Sequence, residues 1–98
     1  MTISKKLTGS VLDITLKGRL DTSTAPDLDD VLKANLDGVT ALVFDFEDVD
    51  YISSAGLRLL LTAQKRMNRQ GTMKIRNVRE QIMEIFDVTG FSDILTIE

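Results

Sequence analysis

The chain has 98 residues, of which 43% are hydrophobic and 28% charged, the ordinary composition of one globular domain. Its formal net charge at pH 7 is −3, and its twelve lysines and arginines are scattered along the sequence. Nucleic acids and anionic membranes are bound by concentrated positive charge, so neither is expected as a partner. The one basic cluster, Lys65, Arg66 and Arg69, falls at the C-terminal end of a predicted helix, where cations favour the helix dipole.

Cysteine and histidine are both missing from the sequence. Disulfides, His-ligated zinc and a Ser-His-Asp triad are therefore excluded. No Gly-x-x-x-x-Gly-Lys-Ser/Thr loop is present, and no metal or cofactor is expected. The first residues form no secretory hydrophobic region, and no apolar run approaches the roughly 18 residues of a membrane helix. We therefore expect a cytoplasmic protein that does not bind membranes.

The first third of the chain predicts a hairpin followed by a helix. Residues 10–17 alternate between apolar and polar side chains, which is typical of a strand with one buried side. The turn before them predicts that residues 3–7 form an antiparallel partner. Ser23 or Thr24 is expected to cap a helix whose apolar residues recur at helical spacing as far as Gly38.

The rest of the chain alternates between strands and helices. The apolar run 41–46 predicts a central strand buried on both faces, with a parallel neighbour and covering helices. Residues 48–52 are expected to form a loop. The remaining predictions are a helix from Ser53-Ser54 to Gly71, a strand at 73–75, a helix over 78–87 and a last short strand at 94–97.

The predicted order of elements is β-β-α-β-α-β-α-β. Strands that alternate with helices indicate an α/β domain, here spanning residues 1–98, with right-handed crossovers. We therefore expect a mostly parallel, mixed central sheet of about five strands with helices packed on it.

The segment Asp50–Leu57 carries the most informative chemistry. A buried strand leads into a loop, and Ser53 and Ser54 lie where a helix begins, at the strand edge where sites gather in open α/β sheets. The helix dipole would stabilise a phosphate added there by roughly 0.3–1 kcal/mol when exposed. The small residues Ala55 and Gly56 leave a serine hydroxyl accessible. The alternative is that the paired serines only cap the helix.

Three short motifs follow one another along almost the whole chain: Gly18-Arg-Leu-Asp21, Tyr51-Ile-Ser-Ser-Ala-Gly-Leu57 and Thr89-Gly90-Phe91. They resemble, in the same order and at similar spacing, three motifs of the bacterial anti-sigma factor antagonists, which are STAS domain proteins. Those family motifs are Gly-x-Leu-Asp, Asp-Ser-Ser/Thr-Gly-Leu and Phe-x-x-x-Gly-Leu/Phe.

The resemblance implies a protein that binds an anti-sigma factor serine kinase, releases it when phosphorylated, and is reset by a serine phosphatase. Aligned on Gly56, the phosphoacceptor is Ser54, and Asp21 takes the place of the acidic residue beside it. Two residues depart from the family pattern, because Ser53 replaces its Asp and Ala55 its second Ser/Thr. Ser53 is therefore a rival phosphoacceptor.

We expect the partner-binding surface to surround these serines. Arg58 and Thr62 lie one turn apart on the predicted outer face of the helix, where polar residues can equally be only solvated. For Asp21 the alternative is a turn residue that bonds its own backbone. The full set is Asp21, Thr22, Ser23, Ser53, Ala55, Gly56, Leu57, Arg58 and Thr62.

Two other functions compete with this one. The departures at Ser53 and Ala55 favour a STAS scaffold or sensor subunit that is never phosphorylated. An enzyme would need a base beside a serine nucleophile, and no Gly-x-Ser-x-Gly elbow is present. We therefore do not expect an enzyme.

Overall fold

The chain alternates strands and helices after an initial hairpin. The computed structural model describes all residues from 1 to 98. In chain order the elements are β1 (Thr2–Thr8), β2 (Val11–Leu20), α1 (Ala25–Asn35), β3 (Ala41–Ile52), α2 (Ser54–Gln70), β4 (Thr72–Arg76), α3 (Glu80–Thr89) and a 3₁₀ turn (Phe91–Asp93).

The four strands form one sheet in the order β1-β2-β3-β4. β1 and β2 pair antiparallel across a turn in which Gly9 has a φ of 60°, while β2–β3 and β3–β4 pair parallel. The predicted α/β class and the mixed, mostly parallel sheet are confirmed, with four strands instead of about five.

The prediction of a strand at residues 94–97 is wrong, because these residues form no strand. The chain winds into the 3₁₀ turn instead, and the Ile94 and Leu95 N–H groups both donate to the Phe91 carbonyl. Only the last residues run beside β4, where they form a single parallel bridge between Ile75 and Ile97.

β3 is twice as long as predicted, because residues 48–52 continue the strand rather than forming a loop. Its register with β2 shifts twice, between Thr15 and Lys17 and between Gly18 and Arg19. Each β-bulge adds one residue to β3 and interrupts the alternation of buried and exposed side chains. The apolar pattern therefore stops at residue 46 in the sequence, although the strand continues.

All three helices pack on one face of the sheet. Its strands contribute the fully buried Leu12, Ile14, Leu42, Phe44 and Ile75 to the core. The strand order moves steadily in one direction, so parallel crossovers of the same hand leave both connecting helices on the same side. The helices complete the core with Leu28, Leu32, Leu57, Leu60, Ala63, Met67, Ile82 and Phe86.

The opposite face of the sheet is open and largely polar. Asp13, Thr15, Val43 and Asp45 alternate with the core residues and are only half-buried, and Arg76 is exposed. The predicted parallel neighbours of the central strand are confirmed, but its predicted burial on both faces is wrong.

Candidate functional site

The ends of β2 and β3 bring the predicted site residues to one edge of the sheet. Leu20 and Ile52 are paired as the last residues of these parallel strands. The Ser53 N–H then donates to the Leu20 carbonyl at 2.9 Å. Asp21 follows directly after Leu20, so the β2–α1 turn and the start of α2 lie side by side.

Ser53 is the N-cap of α2. Its backbone is extended, with φ −95° and ψ 174°, and its hydroxyl accepts a 3.4 Å hydrogen bond from the Gly56 N–H. Its carbonyl accepts the Leu57 N–H at 3.0 Å. The side chain is half-buried and satisfies one of the orphan donors of the first helical turn.

Ser54 is the first residue of α2, and its side chain is exposed. Its hydroxyl makes no hydrogen bond to the rest of the chain, in contrast to the neighbouring serine. It opens onto a shallow cleft that it lines together with Leu57, Arg58 and Phe91. Phe91 belongs to the third motif, so the fold places the second and third motifs side by side.

Gly56 lets the first turn of α2 approach the strand ends closely. A Cβ atom at this position would lie 2.8 Å from Ile52 Cγ1 and 2.9 Å from Leu20 Cγ. Any side chain here would displace the helix start or the core beneath it. Gly56 and Leu57 are both buried, although Leu57 reaches the wall of the cleft beside Ser54.

Asp21 organises the turn between β2 and α1. One of its oxygens accepts hydrogen bonds from the Ser23 hydroxyl at 2.8 Å and from the N–H groups of Ser23 and Thr24 at 3.0 and 3.1 Å. The hydrogen bond from the Ser23 hydroxyl, supported by those from Thr24, lowers the pKa of Asp21 from 3.8 to about 2. The Asp21 carboxylate is therefore ionised at neutral pH and holds its own turn, as the turn-residue reading expects.

The predicted cap of α1 is only partly right. Thr24 occupies the N-cap position, but its hydroxyl makes no capping bond to the helix. It donates to the Arg19 carbonyl at 2.7 Å and accepts the Asp21 N–H at 2.9 Å. The side chain therefore closes the turn onto β2 rather than capping the helix.

An aromatic and cationic pair beside this turn was missed at the level of sequence. The Arg19 guanidinium lies 4.1 Å from the centroid of the Tyr51 ring and 3.5 Å from the Asp21 carboxylate. The bulge between Gly18 and Arg19 sets this register, so reading residues 48–52 as a loop concealed it. In the sequence, Tyr51 is the only tyrosine, and nothing there shows that it lies beside Arg19.

A groove between α1 and α2 gathers several of the predicted partner-binding residues. Thr22, Ala55, Arg58 and Thr62 line it together with Pro26 and Asp29. The exposed Ser23 does not line it, and its hydroxyl donates to the Asp21 carboxylate at 2.8 Å. The Thr62 hydroxyl donates to the Arg58 carbonyl at 3.0 Å and so remains on its own helix.

Comparison with known proteins places this arrangement in a class. A family model described as the STAS domain matches residues 2–98. The anti-sigma-B factor antagonist of Bacillus subtilis (strain 168) is 30% identical over 87 residues, which cover 88% of this chain and 80% of that protein.

Solved structures share the fold. An anti-sigma factor antagonist from Mycobacterium paratuberculosis gives a TM-score of 0.87 at 22% identity, covering 98% of this chain and 83% of that one. SpoIIAA gives 0.79 in its unphosphorylated form and 0.78 in the phosphorylated form from Bacillus, each at 18% identity. These cover 99% of this chain and 87% and 91% of the respective SpoIIAA chains.

The fold and the match over nearly the whole chain define a STAS domain. Within that class, the chain belongs to the family of anti-sigma factor antagonists, which confirms the resemblance seen in its motifs. The family is named for a regulatory role. None of the helices is both long and apolar enough to span a bilayer.

Proposed function

We propose that this chain binds an anti-sigma factor serine kinase through the surface around Ser54, and that phosphorylation of Ser54 releases the kinase. In the bound state the kinase is sequestered and its sigma factor is free to direct transcription. A serine phosphatase removes the phosphate and restores binding.

The observation that carries this proposal is the difference between the two adjacent serines. The Ser53 hydroxyl caps α2, whereas the Ser54 hydroxyl is exposed and unbonded. A kinase can phosphorylate the Ser54 hydroxyl without breaking a hydrogen bond of the fold. Phosphorylation of Ser53 would instead require its hydroxyl to give up the hydrogen bond from the Gly56 N–H that caps the helix.

The residue before the phosphoacceptor departs from the family pattern without loss of its structural role. Aspartate and serine are about equally good N-cap residues, so Ser53 keeps the cap that the family's aspartate would provide. What changes is charge, because the first turn of α2 contains no acidic residue. An added phosphate therefore meets less repulsion here than it would beside an aspartate.

The switch follows from electrostatics alone. A phosphate adds about −1.5 to −2 charge at pH 7, at the same sheet edge as the ionised Asp21. An unpaired charge buried in an interface costs several kcal/mol, and about 2.8 kcal/mol already weakens binding about a hundredfold. No refolding of the domain is required. Support also comes from SpoIIAA, whose fold this chain shares and whose structure is known in both phosphorylation states.

Binding measurements on three variants test the proposal. Isothermal titration calorimetry with the anti-sigma factor kinases of the same cell, in the presence of ATP, is the measurement. Ser54→Ala is expected to keep tight binding because it cannot be modified, and Ser54→Asp to weaken it by about tenfold or more. Ser53→Ala is the control and should still be phosphorylated and released. Equal binding by the parent, Ser54→Ala and Ser54→Asp would reject the switch.

Mapping the phosphate in the native protein distinguishes the alternatives. Trypsin releases a single peptide from Ala34 to Arg58 that holds both serines and Thr40. Phosphate on Ser54 supports the proposal, and phosphate on Ser53 transfers the switch to the neighbouring residue. If neither serine carries phosphate in growing or in stressed cells, the chain acts as an unphosphorylated scaffold.

A further inference from the structure

Arg58 is an exposed arginine beside Ser54 that has no acidic partner. Arg19, Arg66 and Arg79 each lie within 4.0 Å of a carboxylate, whereas the exposed Arg58 forms no ion pair. Asp29 lines the same groove as Arg58 but pairs with Lys33 at 2.9 Å.

Asp21 is not available to Arg58 either. Its carboxylate is held by Ser23, Thr24 and Arg19 within the β2–α1 turn. The Arg58 guanidinium therefore keeps its full capacity to bind an anion.

The geometry of α2 directs Arg58 toward Ser54. The two residues are four apart on one helix, so their Cβ atoms are neighbours at roughly 5–6 Å. Long side chains in a helix lean toward its N-terminus, over the residue four positions earlier. Both side chains also line the same cleft with Leu57 and Phe91.

We propose that Arg58 is the intramolecular partner of a phosphate on Ser54, so that phosphorylation also withdraws a cation from the surface offered to the kinase. This inference rests on the proposed function, because it takes Ser54 as the phosphoacceptor. The guanidinium is planar and always charged, and it bonds phosphate oxygens in pairs.

If the phosphate binds Arg58, phosphorylation weakens kinase binding in two ways. In the unmodified chain, Arg58 stands on the ridge between the α1–α2 groove and the Leu57–Phe91 cleft, free to meet a carboxylate of the kinase. In the modified chain the phosphate occupies it. Arg58 carries a single positive charge and the phosphate about −1.5 to −2, so the pair remains net negative. The partner therefore meets an anion and loses a cation at the same place.

Phosphorus NMR on the full chain tests the inference without any partner. Phosphoserine is placed at position 54 during translation, and the phosphate is titrated in the parent, Arg58→Lys, Arg58→Gln and Arg69→Gln backgrounds. The second pKa of phosphoserine lies near 6. An exposed ion pair at this spacing is expected to hold it about 0.2–0.4 unit below its value in Arg58→Gln. Arg58→Lys should retain part of that shift.

Arg69 provides the matched control, since it lies in the last turn of the same helix, is exposed and forms no ion pair. Arg69→Gln should leave the phosphate titration as it is in the parent. Identical titrations for the parent and Arg58→Gln would overturn the inference, as would an equal shift in Arg69→Gln, which indicates only the general field of the protein.

The two proposals fail in different experiments. The NMR result concerns a phosphate placed at position 54 by translation and is independent of whether cells put one there. Absence of phosphate on Ser54 in native protein would reject the proposed switch and leave the contact with Arg58 intact.

Discussion

Backbone geometry alone separates the roles of two neighbouring serines. Ser53 is in an extended conformation at the N-cap, which turns its hydroxyl back toward the Gly56 N–H. Ser54 already has its place in the helix, and its side chain points to solvent. The same residue type therefore stabilises the fold at one position and remains available for chemistry at the next.

The stability that Asp21 gives to the β2–α1 turn depends on pH. Its pKa is lowered to about 2, so the folded chain favours the carboxylate more than the unfolded chain does. The resulting stabilisation is fully present above the ordinary pKa of 3.8 and is lost as the pH falls through about 2. We expect Asp21→Asn to lower the melting temperature at pH 7 and to reduce its decline between about pH 4 and pH 2.

Thermal unfolding followed by circular dichroism at a series of pH values measures this effect. Asp50→Asn is the control, because Asp50 is exposed and forms no ion pair, and it should follow the parent curve. The role of Asp21 would be contradicted by an Asn variant that melts with the parent at every pH.

At the level of elements, the start of α2 depends on its cap and on a close approach to the sheet. Ser53 satisfies the Gly56 N–H, and the missing side chain of Gly56 leaves room for Ile52 and Leu20. Both features fix where the helix begins and so where Ser54 lies.

Loss of the cap is expected to destabilise the domain independently of any phosphorylation. Ser53→Ala should lower the free energy of unfolding by about 1 kcal/mol, and Ser53→Asp should restore it, because aspartate caps as well as serine. Urea denaturation measures both. Ser54→Ala, one residue later, should stay within about 0.5 kcal/mol of the parent. A Ser53→Ala variant as stable as the parent would show that the 3.4 Å bond contributes nothing.

On the scale of the whole molecule, the sheet has one buried face and one open face. Leu42 and Val43 are consecutive residues of β3, and the first is fully buried while the second is half-buried. Leu42→Ala should cost about 2–5 kcal/mol of unfolding free energy, the range for a buried leucine. Val43→Ala should cost about 1 kcal/mol or less, since its side chain already contacts water. Comparable losses at both positions, measured by urea denaturation, would indicate that the second face is also covered.

The elements that sequence patterns could predict are those with an uninterrupted period. Three alternating apolar residues identified β2, and helical spacing of leucines identified α1 and α2. The second half of β3 was not predicted as a strand, because its two bulges interrupt the alternation of buried and exposed side chains. The predicted last strand does not form, because Ile94 and Leu95 are bonded into a 3₁₀ turn by the Phe91 carbonyl. Only a single bridge, between Ile75 and Ile97, remains.

Residue patterns were sufficient to predict the α/β class, the motif order that marks the family, and the position of the serine pair at a helix start. Each of these depends on residues close together in the chain or on matching short motifs. Three features are visible only in the folded chain: all helices cover one face, Arg19 stacks on Tyr51, and the Ser54 hydroxyl remains unbonded. The first two depend on register and on contacts between segments some thirty residues apart, which local periodicity does not encode. The third depends on which of the two serines is the N-cap, a position that either could have filled.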